Sequence, residues 1–174
     1  MRATSLRTGL NQLYDASAWA AALMMVGTLL MVVLGMVDRY VSLNFRGTDM
    51  YAGYCMASAG FLALAHTLKK GEHIRVTLLL NAVGPRAQKA LELWSLSAAV
   101  LLSGLFCFYS VKLAYQSWDF NDISTGNDAT PLWIPQIGMA VGTLVLLIAF
   151  VDELMLEIQG KRVTSSSDEA LHNE

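Results

Sequence analysis

The 174-residue chain is 55% hydrophobic and 15% charged, with a mean hydropathy of +0.45, whereas soluble domains carry about 25% charged residues. A net charge of −2 without a basic stripe argues against a nucleic-acid binder. The longest hydrophilic segment, 69–92, is too short for an independent soluble domain. Four stretches contain no Asp, Glu, Lys or Arg: 16–37, 50–68, 93–111 and 129–151. As helices they would each run about 28–35 Å, enough to cross a hydrocarbon core of about 30 Å. The expected fold is an all-α integral membrane protein with four transmembrane helices over these stretches. Together they make a membrane domain over 16–157, between an arm at 1–15 and a polar tail at 158–174.

Along the chain, Arg2 and Arg7 precede the first block as they would in a signal peptide. That block is longer than the usual apolar core of about 7–15 residues, and it ends in Val37-Asp38-Arg39 without a small-x-small cleavage site. It is expected to be a retained span. The second block carries Gly53, Ala57 and Gly60 on one small-residue face. Behind it, His73, Thr77 and Asn81 repeat every four residues opposite Val76, Leu79, Leu80 and Val83, which predicts a short interfacial amphipathic helix over 72–83. Gly84-Pro85 should end that helix, with Pro85 in the first turn of the helix into the third span. The loop before the last block carries Asp119, Asp122 and Asp128. The last block opens with Pro131, Trp133 and Pro135, then places Gly138 and Gly142 one helical turn apart. The tail from Val163 is polar and is expected to be disordered.

The charges predict an orientation. The N-terminal arm, second loop and tail hold nine Lys and Arg residues, while the first and third loops with the adjoining helix end hold Arg39, Arg46 and Lys112. The positive-inside rule then puts both termini in the cytoplasm. The ten Trp and Tyr residues fall near the predicted interfaces. Trp19 and Trp94 belong with Lys69, Lys70, His73 and Arg75 to the expected inner headgroup layer.

Nothing in the pattern calls for a cofactor, a metal or a catalytic group. A membrane haem needs histidines from facing helices. Here His66 and His73 lie on one side of the membrane along one segment, and His172 is in the tail. Cys55 and Cys107 sit in different apolar blocks and read as small packing residues. A substrate carrier usually holds ionisable groups at mid-membrane, and these blocks contain no charged side chain. The small residues Gly53, Ala57, Gly60, Gly138 and Gly142 can serve packing within the chain or a second membrane protein. The acidic loop can be solvated or can dock an external partner.

Four spans in this length, Gly71-Glu72-His73-Ile74-Arg75-Val76 after the second span, and Pro131-Leu132-Trp133-Ile134-Pro135 at the fourth resemble the small permease subunit of TRAP transporters, the DctQ type. Arg39 matches a basic residue common near the end of the first span in that family. The resemblance covers roughly residues 14–157 and implies a bacterial inner-membrane protein, not an enzyme. It implies a tripartite partnership with a large DctM-type permease, which carries substrate and sodium, and with an extracytoplasmic substrate-binding protein. The small subunit would brace the large one during uptake of organic acids. On this reading Gly53, Ala57, Gly60, Trp133, Gly138 and Gly142 are candidates for the large-permease interface, and Arg46, Asp119, Asp122 and Asp128 for docking the binding protein. Membrane lipids are the remaining expected partner. The competing reading is an autonomous small transporter, or the membrane anchor of an oxidoreductase.

Overall fold

The computed structural model describes residues 2–41, 45–70 and 84–159. They form four helices and no strand: α1 (Arg2–Val41), α2 (Thr48–Lys69), α3 (Pro85–Asp119) and α4 (Trp133–Ile158). The predicted interfacial helix at 72–83, with His73 and Arg75, lies outside the described residues, as does the tail from residue 160.

Two helices outrun the uncharged blocks that predict them by a turn or more at both ends. With 40 residues α1 is about 60 Å long, so most of the expected N-terminal arm is its first turns. With 35 residues α3 is about 52 Å long, and it takes in Lys112, Tyr115 and Trp118. Gly84 precedes α3 and Pro85 occupies its first turn, where a backbone N–H would have no helical partner. The fourth helix starts later than expected, at Trp133, because 129–132 belong to a folded loop. Pro135 is still in its first turn, so the missing donor is harmless.

Three helices are long and apolar enough to cross a membrane: Arg7–Val41 of α1, Ala87–Asp119 of α3, and α4. The expected fourth, α2, is not among them. Its 22 residues would reach about 33 Å, but Tyr51, Gly53, Tyr54, Ser58 and Gly60 stand where a lipid-facing helix would carry leucine and valine. Packing explains the difference. The helices lie in the spatial order α1–α2–α4–α3: α1 packs on α2, α2 on α4 and α4 on α3, while α1 only brushes α4. Among the described residues α1 and α3 make no close approach. The two inner helices therefore have a neighbour on either side. Accordingly, 28% of the most apolar stretch of α4 is buried, against 6% of that in α1.

Small residues make each contact. A Cβ at Gly142 would stand 2.6 Å from the Phe61 carbonyl carbon, and one at Gly138 would stand 2.7 Å from the Ser58 Cβ. Across from them on α2, Ala59 and Ala65 are buried. On α3, buried Leu96, Ser103, Ser110 and Ser117 recur every seven residues, the spacing of helices that cross at a shallow angle. Ser103 and Ser110 donate to the carbonyls of Val100 and Phe106 at 3.1 and 2.8 Å, so their hydroxyls are satisfied within α3. Between α1 and α2, Gly27 faces Cys55 Sγ and Gly35 faces Thr48. Both cysteines are free thiols within the packing.

Candidate functional site

One end of the row gathers the N-terminal half of α1, the end of α2 and the end of α4. Tyr14, 1% exposed, joins Ala65, Leu68, Val145, Leu146 and Ala149 in the apolar core. Its ring carries Lys69 Nζ at 5.5 Å from the centroid. Lys69 also donates to Asp152 Oδ2 at 2.6 Å and lies 3.5 Å from Glu153 Oε1. His66 Nδ1 lies 3.7 Å from Asp15 Oδ1. Glu153 and Glu157 are both buried here. This layer ties three helices together through charges that the sequence scattered over more than 130 positions. Lys69, expected in the inner headgroup layer, is paired with Asp152 of α4. Lys70 caps α2, donating its backbone N–H to the His66 carbonyl at 3.0 Å. Trp19 and Trp94 are largely exposed on the outside of α1 and α3.

The opposite end is built from the two short loops. The segment 120–132 doubles back on itself: Ser124 N–H donates to the Thr130 carbonyl at 2.8 Å and Leu132 N–H to the Asp122 carbonyl at 2.9 Å. These bonds flank the bridge between Ile123 and Pro131, and neither needs a donor from Pro131. Tyr54 of α2 reaches the loop and donates to Asp128 Oδ2 at 3.0 Å, while Ser124 donates to Asp128 Oδ1 at 2.7 Å. The hydroxyls of Thr130 and Tyr51 lie 3.0 Å apart, within hydrogen-bond distance. Gly47, at φ +85°, lets the first loop lie against the Asp128 backbone; a Cβ there would stand 2.9 Å from the Asp128 Cα. Partial burial works to raise the Asp128 pKa, but hydrogen bonds from Ser124, Thr130, Tyr54 and its own backbone hold it below the ordinary carboxylate value of 3.8.

The residues expected at partner interfaces therefore separate. Asp128, expected among the residues that dock an external protein, accepts hydrogen bonds from Tyr54 and Ser124 and pins the loop to α2. Asp119 and Asp122 are exposed on the same loop end. Arg46 is exposed at the rim of a cavity beside α1 and α2. Gly138 and Gly142 face α2, so the line on α4 expected to meet a large permease is filled within the chain. Gly53, Ala57 and Gly60 are exposed, and a Cβ at either glycine would meet nothing within 4 Å. Trp133 is half-buried at the start of α4. Neither the Tyr14–Lys69–Asp152 layer nor the Tyr54–Asp128 pin was legible as a site. Their members lie more than 50 positions apart, and nothing local in the sequence pairs Tyr14 with Lys69 or Tyr54 with Asp128.

Among the described residues no group of three His, Cys, Asp or Glu side chains is placed to hold a metal ion. Long apolar helices with ends tied by polar contacts are those of a multi-pass membrane protein. The family model of the tripartite ATP-independent periplasmic transporters, DctQ component, matches residues 16–160, and the chain belongs to that family. It is accordingly a small subunit of a TRAP transporter and a multi-pass protein of the inner membrane; the family is one of transporter components, not of enzymes. No curated protein matches the chain.

Proposed function

We propose that the chain crosses the inner membrane four times, with both termini in the cytoplasm, and braces a large DctM-type permease during sodium-coupled uptake of organic acids. α2 is the fourth span. It tolerates a less apolar sequence because α1 and α4 cover two of its sides, and the nine-to-three distribution of Lys and Arg supports the orientation. The terminal layer of Lys69, Asp152 and Glu153 then lies on the cytoplasmic side. The folded loop lies outside, where Asp119 and Asp122 offer acidic contacts to the extracytoplasmic binding protein.

One observation carries the reading: Gly53, Ala57 and Gly60 line an open face of an inner helix. In lipid, association is driven by close packing, and residues without bulk let a partner helix approach. The other glycine pair, Gly138 and Gly142, is used within the chain, which leaves the α2 face for the large subunit. Gly60→Leu should leave the isolated small subunit folded and inserted, because its side chain enters open space. It should lower co-purification with the large permease and sodium-driven uptake at least tenfold. Full uptake and complex yield from a Gly53→Leu/Gly60→Leu variant would remove α2 from the interface.

A further inference from the structure

At the loop end, a cavity of about 640 Å³ lies beside the last turns of α1 and the first turn of α2. It is lined by Gly35, Asp38, Arg39, Arg46 and Asp49, with Asn127 of the third loop at its edge. Two guanidiniums and two carboxylates therefore face one space. Among the described residues neither arginine has an ion pair or hydrogen bond, and Asp38 accepts only the Phe45 backbone N–H, at 3.2 Å. Opposite charges that line one cavity without pairing suit a ligand that carries both signs.

We propose that this cavity holds the headgroup of a zwitterionic phospholipid with a primary ammonium. The phosphate sits on Arg39 and Arg46, and the ammonium sits between Asp38 and Asp49. Guanidinium presents paired N–H donors to phosphate oxygens, and a primary ammonium has three donors for carboxylates. An anionic headgroup would satisfy the arginines and leave both carboxylates facing negative charge. Depth selects a lipid over a soluble zwitterion. Asp38 is the first charged residue after the apolar stretch of α1, and Gly35 lies one turn further in, so the cavity opens at the level where headgroups meet hydrocarbon. The volume falls within the range of about 300–1,000 Å³ typical of small-molecule sites. This inference rests on the reading of α1 and α2 as membrane helices.

The test is native mass spectrometry of the purified full chain with phosphatidylethanolamine, phosphatidylglycerol or free phosphoethanolamine. Wild type should retain phosphatidylethanolamine at least tenfold better than phosphatidylglycerol. Arg39→Gln/Arg46→Gln should lose that retention at least tenfold. Asp38→Asn/Asp49→Asn should keep a phospholipid but lose the preference, binding both lipids alike. Equal binding of the two lipids by wild type, or variants that behave like wild type, would overturn the proposal. Displacement of the lipid by millimolar phosphoethanolamine would do so too, by making the occupant soluble. Alkali-resistant membrane association, scored in parallel, reports separately on the membrane reading itself.

Discussion

Single atoms separate the glycines. At Gly142 even a methyl group would run into the Phe61 carbonyl, a backbone that cannot step aside, whereas at Gly60 a methyl group meets nothing within 4 Å. Gly142→Ala should therefore destabilise the purified subunit by about 1–3 kcal/mol, the usual cost of overpacking. Gly60→Ala should be neutral or stabilising by up to about 1 kcal/mol, because alanine is the better helix former. Thermal unfolding of the two variants in detergent checks both signs; equal effects would contradict the assignment of the two faces. The sequence made both pairs visible as small residues at helical spacing but carried no mark of which one faces inward. That depends on a helix 80 positions away in the chain. The serines at 103, 110 and 117 were legible in the same limited sense. Their heptad spacing was present, but exposed serine and seam serine read alike until α4 lies against them.

Among the elements, the uncharged blocks located every helix core, because excluding charge from a long apolar run is a local property. The ends were less legible. Helix hydrogen bonding continues past the last apolar residue wherever no breaker intervenes, so α1 extends back to Arg2 and α3 on to Asp119. The loop at 120–132 was hidden for a different reason: its shape depends on Tyr51 and Tyr54 of another helix. Its hold on α2 should respond to acid. Asp128 has a lowered folded-state pKa, so its ionised form is favoured in the folded loop. The stabilisation is present above the unfolded value near 3.8 and is lost as pH falls through the lower folded value. Amide exchange at Ser124 and Leu132, read at equal intrinsic rate, should stay slow at pH 5–7 and accelerate below pH 3.8. Asp128→Asn should exchange fast throughout. A wild-type profile that stays flat through the acid range would show that the carboxylate does not hold the loop.

Across the whole molecule, the row consists of two helical hairpins, α1–α2 and α3–α4, which meet along the α2–α4 line. Phe106 of α3 adds one ring contact to Phe61, at 5.7 Å between centroids. Two separately expressed pieces, cut between residues 70 and 84, should therefore co-purify from membranes, and Gly142→Leu in the second piece should abolish their association. Failure of the unmodified pieces to associate would mean that the α2–α4 line is too weak to hold the halves together. The row also implies an order of birth. α3 emerges from the ribosome before the helix that covers its serine face, so it waits alone in the bilayer until α4 follows. A chain interrupted before α4 keeps α1 with α2 but leaves α3 without its main neighbour. The last made of the four described helices is thus the one that turns a pair and a stray into a single body, and quality control that samples the nascent subunit has that late event to watch.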